Sequence, residues 1–380
     1  MNRFLLCLSR GAICAALLSS PLLRVSAATI RGNLSTWHPI TLAFDGPSGS
    51  EVEPATFWDN RLTVTFTHGD TSYAVPGFFA ADGDAGASHA TSGDQWHAIF
   101  TPDRPGEWRY HAEMVTGPKV ALSQTPGKTH PLKNAHGAFT VAPSPVSPAS
   151  ADFRGHGRLE YVGKHHMQFR GSGKFFIKGG SGSPENFLAF DGIDGTYDFA
   201  QTPEFPALGK DQLHHFGPHR RDWQPGDPNW LDEDGDDAKG IIGLINYLGH
   251  EGLNSIYLMP FTYAGDGNDV WPWADPRTLN TFDVSKLDQW NRIFSHLQSR
   301  GVHINMLVSE TENESLFELE AGGGLFADTR KLYYRELIAR FGHHLALSWN
   351  LGEEIGWDDE KGMAPGIGIT TEQQKLFCQY

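Results

Sequence analysis

Cysteine is scarce in this 380-residue chain, and two of its three cysteines, Cys7 and Cys14, lie in the first fourteen residues. If the amino-terminal segment is removed, only Cys378 remains and an intrachain disulfide is excluded. Basic residues are also few, since 30 Lys and Arg stand against 45 Asp and Glu, for a formal net charge of −15. An acidic protein repels phosphate backbones and anionic lipids, so we expect no nucleic-acid partner.

Long hydrophobic runs are missing after the amino terminus, where no segment reaches the roughly 18 apolar residues of a membrane-spanning helix. The first 28 residues contain Arg3 and Arg10, an apolar stretch over 11–23, and small residues up to Ala28. This pattern predicts a secretory signal peptide over residues 1–28. We therefore expect a secreted or periplasmic protein with no membrane insertion after signal cleavage. Ile13 before Cys14 disfavours a lipoprotein anchor.

Motifs for metals and nucleotides are missing too. The acidic run 232–237 fails the EF-hand pattern, because Asp237 stands at the sixth position and Gly243 at the twelfth. A solvated loop that places negative charge at a helix amino end is the favoured interpretation. The histidine doublets come without paired cysteines or a His-Glu-x-x-His motif. We predict no metal and no cofactor.

The region 29–142 has the pattern of an all-β domain. Runs such as 62–67, 98–100 and 108–112 are rich in β-branched and aromatic residues and are separated by Gly and Pro. Pro105-Gly106 followed by Trp108 and Tyr110 is typical of a turn and strand in an immunoglobulin-like sandwich. Residues 143–150, rich in Pro and Ser, predict a stiff linker without secondary structure.

Strands alternate with helices in the region 151–380. Strands are predicted at 175–180, 253–259, 303–308 and 345–351, and helices at 238–250, 284–300 and 325–342. Thr370 is the candidate N-cap of a further helix. This alternation with long loops predicts a (β/α)₈ TIM barrel of which only about four βα units are present. A half barrel exposes unpaired sheet edges, so the sequence favours a truncated fragment.

The candidate active site lies at the end of the fourth predicted strand, where residues 347–354 have the sequence LSWNLGEE. Active sites of α/β barrels lie at the carboxyl ends of the strands, which makes Glu354 the candidate catalytic acid. Glu353 is a candidate participant, although adjacent strand residues point to opposite faces unless the backbone breaks. The alternative is that one of these two glutamates is the buried partner of an Arg or Lys and that the other is an ordinary solvated carboxylate.

Further candidates follow the other predicted strands. The possible catalytic or supporting residues are Asn350, Glu310 and Glu312, of which the two glutamates share parity after the third strand. Ordinary loop acids give the same pattern. The candidate substrate-binding residues are Lys178, Glu185, Asn186, Asp269, Trp271 and Trp273. A tryptophan can stack on a pyranose ring or anchor its loop to the core, and the sequence leaves both open.

These residues carry a resemblance to a known group of enzymes. Trp349 to Glu354 resembles the Trp-x-Leu-Gly-Asn-Glu signature of clan A glycoside hydrolases, which implies that Glu354 is the general acid/base. Glu353 stands where that signature has Asn. The whole chain resembles exported bacterial proteins that join a domain of unknown function 5060 to an apiosidase-like barrel, with Pro184-Glu185-Asn186, the 265–272 loop and Glu310-Thr311-Glu312-Asn313 as further points of similarity.

The resemblance implies a glycoside hydrolase acting on a plant, algal or microbial polysaccharide or oligosaccharide. Its nucleophile is expected after a seventh strand, so this chain is predicted to be an inactive fragment. Two alternatives remain: a carbohydrate-binding or surface-attachment protein without catalysis, and a polysaccharide lyase, which the acidic composition disfavours. A carbohydrate is the expected ligand, and the oligomeric state stays open.

Overall fold

The computed structural model describes residues 28–122, 127–180, 184–197, 213–263, 265, 269–310, 313, 316–318, 325–353 and 369–380. The predicted signal peptide lies outside the described residues except for Ala28, and Glu312 and Glu354 lie outside them as well.

Two antiparallel sheets make up the region before the linker. Their strands are β1 (Thr29–Gly32), β2 (Ile40–Ser50), β3 (Asn60–His68), β4 (Thr71–Pro76), β5 (Phe78–Phe79), β6 (Ser92–Phe100), β7 (Gly106–Thr116), β8 (Lys128–His130) and β9 (His136–Val141). The first sheet has the order β1-β2-β6-β5, and in the second β4 pairs with β3, β3 with β7, and β7 with both β8 and β9. Two short helices, α1 (Pro54–Trp58) and α2 (Ala85–Ser88), join the strands.

The two sheets share an aromatic core. Alternate residues of β3 are fully buried, which is the period expected of a strand with one face on the core. Phe66 stacks on Phe100 with ring centroids 4.3 Å apart, and Phe100 meets Trp108 edge to face at 4.9 Å. Each such side chain contributes about 1.5–3 kcal/mol through burial. The predicted entry of Trp108 and Tyr110 into the core is confirmed.

The linker has neither helix nor strand, as predicted, but hydrogen bonds hold it to both sides. The Ser144 amide donates to Thr36 Oγ1 at 2.8 Å, and its hydroxyl donates to the Arg154 carbonyl at 2.8 Å. A short hairpin of β10 (Leu159–Glu160) and β11 (Gln168–Phe169) follows. The linker therefore fixes the path of the chain between the two regions.

A parallel sheet with helices forms the second region. Its strands are β12 (Ser255–Leu258), β13 (His303–Leu307) and β14 (Leu347–Asn350), and its helices are α3 (Lys239–His250), α4 (Val284–Ser299), α5 (Asp328–Phe341) and α6 (Thr371–Gln379). The strands pair in parallel in the order β12-β13-β14. The described residues do not form a closed barrel.

The first predicted barrel strand, at 175–180, is wrong. Phe176 packs instead against Phe153 and Phe169 in a small separate cluster. Gly180, the last residue of the predicted strand, makes a parallel bridge to Ser255, which is the first residue of β12. Only the end of the predicted strand thus contacts the start of β12 within the described residues.

Capping residues mark the ends of two helices, and the predicted N-cap Thr370 is confirmed. The Asp283 side chain accepts a hydrogen bond from the Lys286 amide and caps α4, and Gly301 after this helix has φ of 73°. Thr370 and Gln373 form a reciprocal capping box at the start of α6.

The antiparallel sheets dock on helices α4 and α5 of the second region. Arg340 of α5 is 3% exposed, pairs with Glu336 at 3.2 Å, and donates to the Phe79 carbonyl at 2.9 Å. Its guanidinium also lies 4.5 Å from the centre of the Phe78 ring. Breaking a buried pair of this kind typically costs about 3–5 kcal/mol, so the contact fixes one region on the other.

The same interface holds a carboxyl group with a displaced pKa. Glu51, at the end of β2, accepts a hydrogen bond from the Val284 amide at the start of α4 at 3.1 Å. Burial and the nearby carboxylate of Asp283 raise the pKa of Glu51 to about 7. The protonated form is therefore favoured in the folded protein.

We expect Glu51→Gln to flatten part of the pH dependence of unfolding. Because the folded-state pKa is raised from 4.5 to about 7, this group's stabilisation is complete below pH 4.5 and is lost as the pH rises to 7. The variant should gain about 1–2 kcal/mol over the wild type at pH 8 and little at pH 4.5, after allowance for solvent screening. Urea unfolding at the two pH values measures this. Glu53→Gln, an exposed neighbour, is the control, and an equal effect of both variants would contradict the assignment.

Candidate active site

Three glutamates from separate segments gather around one tyrosine at the carboxyl edge of the parallel sheet. The hydroxyl of Tyr257, in β12, is hydrogen-bonded to the side chain of Glu353, and the charges of Glu185 and Glu310 also act on it. Burial and these three carboxylates raise the pKa of Tyr257 above the usual phenol range. The phenol therefore keeps its proton and donates a hydrogen bond to the Glu353 carboxylate.

Main-chain pairing positions two of the glutamates. The Glu185 carbonyl accepts from the amide of Met259, the residue after β12, at 2.9 Å. The Glu353 amide donates to the carbonyl of Ser309, just beyond β13, at 3.0 Å. Both segments thus continue the strand pairing past the strand ends.

Glu310 is 2% exposed and is held by Asn313. The Asn313 amide group donates to Glu310 Oε1 at 3.0 Å, and its oxygen accepts from the Glu310 backbone amide at 3.0 Å. A Cβ atom at position 265 would lie 1.7 Å from Glu310 Oε1, so only glycine at position 265 allows this close approach. The loop after β12 therefore packs directly against the Glu310 carboxylate.

The face of the sheet below the carboxylates is polar. The pairing puts Tyr257 beside Asn305 and Asn305 beside Ser348, and His303 bonds to the hydroxyls of Ser255 at 3.0 Å and Ser348 at 2.8 Å. Burial, with a smaller contribution from Lys178, lowers the pKa of His303 to about 4. His303 is thus neutral near pH 7, so one ring nitrogen donates to one of these hydroxyls and the other nitrogen accepts from the second.

Lys178 lies at the opposite end of the sheet from the glutamates. Its side chain is exposed, and its positive charge helps to lower the pKa of His303, the first residue of β13. The predicted placement of Lys178 at the carboxyl edge is wrong, because Gly180, two residues later, is bridged to Ser255 at the start of β12.

Asn186 and Asp269 connect two loops. The Asn186 amide donates to Asp269 Oδ2 at 2.8 Å, and its oxygen accepts from His214 Nε2 at 2.9 Å. Asp269 is 1% exposed and also accepts from the Thr262 hydroxyl at 3.3 Å. These contacts hold the loops behind the site, and we interpret both residues as positioning residues.

Both candidate sugar-stacking tryptophans are buried. Trp271 has 1% exposure and packs between Tyr197 and the Lys286 ammonium, while Trp273 has none and contacts Phe261 and Tyr333. Neither indole offers a free face, so the expected stacking is wrong for both. Trp271 and Trp273 instead anchor their loop to the core, which is the alternative that the sequence left open.

A third tryptophan, Trp349, is exposed to solvent. Trp349 of β14 is 40% exposed and lines a shallow groove of about 560 Å³ together with Asn305, Asn350 and Gln374. The Asn350 oxygen accepts from the Gly352 amide at 3.3 Å, which bends the chain just before Glu353. The sequence signal for Trp349 was its place within the LSWNLGEE run.

Sequence reasoning also missed Tyr257. An aromatic residue between Ile256 and Leu258 is typical of a buried strand, but Ser255 at the same parity marks a polar face.

Within the described residues, no group of three or more His, Cys, Asp or Glu side chains could hold a metal ion. None of the helices in the described ranges is long and apolar enough to cross a membrane.

We expect Tyr257→Phe to destabilise the protein by about 1–3 kcal/mol at pH 7, because the Glu353 carboxylate loses its donor in a partly buried site. Urea unfolding measures the change. Tyr161→Phe, at a tyrosine with 77% exposure, should change stability by less than about 0.5 kcal/mol. Equal losses for the two variants would contradict the hydrogen bond as the source.

A family model described as a domain of unknown function, DUF5060, matches residues 33–115. The match falls within the two antiparallel sheets and confirms that part of the resemblance. No curated protein matches the chain significantly.

Among solved structures, a proposed glycoside hydrolase from Bacteroides vulgatus ATCC 8482 is similar over 92% of this chain, with 14% identity and a TM-score of 0.53. The chain spans 53% of that protein's length. The type III pullulan hydrolase from Thermococcus kodakarensis has 14% identity and a TM-score of 0.17, covering 79% of this chain and 44% of its own. A pullulanase variant from Paenibacillus barengoltzii has 10% identity and a TM-score of 0.21, and the similarity covers 84% of this chain and 48% of the pullulanase. The Bacteroides vulgatus protein therefore shares the fold of this chain.

Proposed function

We propose that this chain forms part of a glycoside hydrolase that acts on a plant, algal or microbial polysaccharide or oligosaccharide, with Glu354 as the general acid/base. The observation that carries the proposal is the meeting of Glu185, Glu310 and Glu353 around Tyr257 at the carboxyl edge of a parallel sheet. Glu354 directly follows Glu353 in the chain and lies outside the described residues.

The chemistry of glycoside cleavage needs a carboxyl group that holds a proton at rest and a second carboxylate across the scissile bond. Neighbouring carboxylates raise one another's pKa, since a second negative charge is unfavourable beside the first. Neighbouring carboxylates favour the protonated form of a glutamate placed beside them, as we propose for Glu354. This is the property that a general acid requires.

The architecture that fits this role is an immunoglobulin-like sandwich followed by part of a (β/α)₈ barrel. Three parallel strands with intervening helices, and a polar face below the carboxylates, support the barrel assignment. The resemblance assigns the nucleophile to a seventh strand, and we assign that role to none of the described residues. Export through a signal peptide over residues 1–28 also belongs to the proposal.

Trp349 is the residue we propose for stacking on a sugar ring. Its exposed indole lies next to the amides of Asn350 and Asn305 in the groove beside the carboxylate edge. A flat apolar face with adjacent hydrogen-bonding groups matches the two kinds of surface that a pyranose presents.

The test uses the full-length protein of which this chain forms part, and it measures the release of reducing sugar from a panel of neutral and acidic polysaccharides together with binding of the same glycans. We expect Glu354→Gln to lower the rate about 10²–10⁴-fold and to leave binding nearly unchanged, because the amide keeps the shape but cannot deliver the proton. Trp349→Ala should weaken binding, by the loss of one stacking contact. Trp58→Ala, a change in the antiparallel region, is the matched control.

Binding without release of reducing sugar by the full-length wild-type protein would overturn the hydrolase proposal and favour a carbohydrate-binding protein. Release of products with a new double bond, seen as ultraviolet absorbance, would favour a lyase.

A further inference from the structure

A cavity of about 290 Å³ lies between the antiparallel sheets and the carboxyl end of α5, where the chain turns into β14. Its lining includes Trp37, Pro76, Ile99, Arg158, Arg170 and Ile338. This position is at the amino end of the parallel strands, so the cavity is separate from the glutamates at the carboxyl end. Clefts between packed regions are common places for small-ligand sites.

The charges around the cavity do not balance. Asp103 also lines it, but its oxygens already accept from both Arg104 and the Tyr73 hydroxyl, at 2.9–3.0 Å. Arg170 lies 3.3 Å from the same carboxylate. Asp103 is thus fully engaged by three other partners.

Arg158 makes no direct ion pair within the described residues, because none of their carboxylates lies within 4.0 Å of it. Its guanidinium donates instead to the carbonyls of Gly342 at 3.3 Å and His344 at 3.2 Å. Burial lowers its pKa, while Glu160 and Asp103 act on it from farther away. Both carboxylates already pair with Arg170, so an anionic ligand in the cavity would give the partly buried Arg158 a direct partner.

The apolar wall of the cavity is built around Trp37. This residue has a left-handed backbone with φ of 63°, a conformation that non-glycine residues rarely adopt. Its indole fits against two glycines, because a Cβ at Gly157 would lie 2.8 Å from the ring and one at Gly171 would lie 2.9 Å from it. Strained backbone of this kind is concentrated at functional sites.

We propose that this cavity binds the uronate unit of an acidic glycan, with its carboxylate on Arg158 and its ring against Trp37 and Ile338. The anion site stands on the cavity and its charges alone, whereas the choice of a sugar acid rests on the proposed function. A second groove of about 400 Å³ shares Ala74, Pro76 and Ile338 with the cavity. A glycan of more than one sugar unit therefore has room to extend from the cavity into this second groove.

The experiment is calorimetric titration of the protein with sodium glucuronate, with glucose and cyclohexanecarboxylate as the neutral and non-sugar probes. We expect glucuronate to bind, glucose not to bind, and affinity to fall as salt is added. Arg158→Gln should weaken glucuronate binding about tenfold or more, as expected for the loss of a charged hydrogen bond. Arg109→Gln, which removes an arginine of similar charge from the exposed face of β7, should leave binding unchanged.

Ile338→Trp provides the second variant, since it fills the cavity and leaves the carbonyl contacts of Arg158 in place. It should abolish glucuronate binding even if Arg158→Gln fails to fold. No binding of glucuronate or cyclohexanecarboxylate to the wild type, or equal binding by Ile338→Trp and Arg109→Gln, would overturn the site. Binding of cyclohexanecarboxylate but not of glucuronate would overturn the sugar-acid assignment.

The polysaccharide assay separates the two proposals. If the full-length protein binds glucuronate but cleaves no glycan, the anion site in the cavity is supported and the hydrolase proposal is overturned. Cleavage that persists in Ile338→Trp without glucuronate binding places the anion site outside the catalytic machinery.

Discussion

The parallel direction of β12, β13 and β14 is the constraint on which the candidate active site depends. Because all three strands run the same way, the loops that follow them meet at one edge of the sheet. Glu310 and Glu353 each come three residues after a strand, so neighbouring strands deliver them to the same height. An antiparallel neighbour would have sent one of them to the other end, where Lys178 lies.

Bringing three carboxylates together carries an electrostatic cost that the site must offset. Two carboxylates 4 Å apart repel by about 4 kcal/mol at an effective dielectric constant of 20. Hydrogen-bond donors to the charged oxygens offset such a cost. Tyr257 supplies a donor to Glu353, and Asn313 supplies one to Glu310.

The sequence predicted helices α3, α4 and α5 and strands β12, β13 and β14 to within a few residues, because their apolar residues follow the patterns of buried helices and strands. It failed where one pattern fits two environments. Phe175-Phe176-Ile177 has the composition of a strand, yet Phe176 fills a separate cluster. Trp271 and Trp273 lie among Gly, Asp and Pro, which is typical of an exposed loop, but the apolar gain from burying two indoles decides their place. Tyr257 lies between two apolar residues of a strand, so the pattern gave no sign of the hydroxyl that bonds to Glu353.

The docking of the antiparallel sheets on α4 and α5 bears on what those sheets do. One continuous core runs through both regions, and Phe57 of α1 meets Phe282, just before α4, with ring centroids 5.2 Å apart. Removal of the sheets would expose this apolar surface and leave the buried Arg340 without its Phe79 carbonyl. A module that only binds glycan gains nothing from so large a shared core, since a flexible tether brings it to the substrate equally well. The shared core therefore favours the sheets as a structural part of the proposed hydrolase that fixes helices α4 and α5, with the cavity beside Arg158 as a consequence of that close packing.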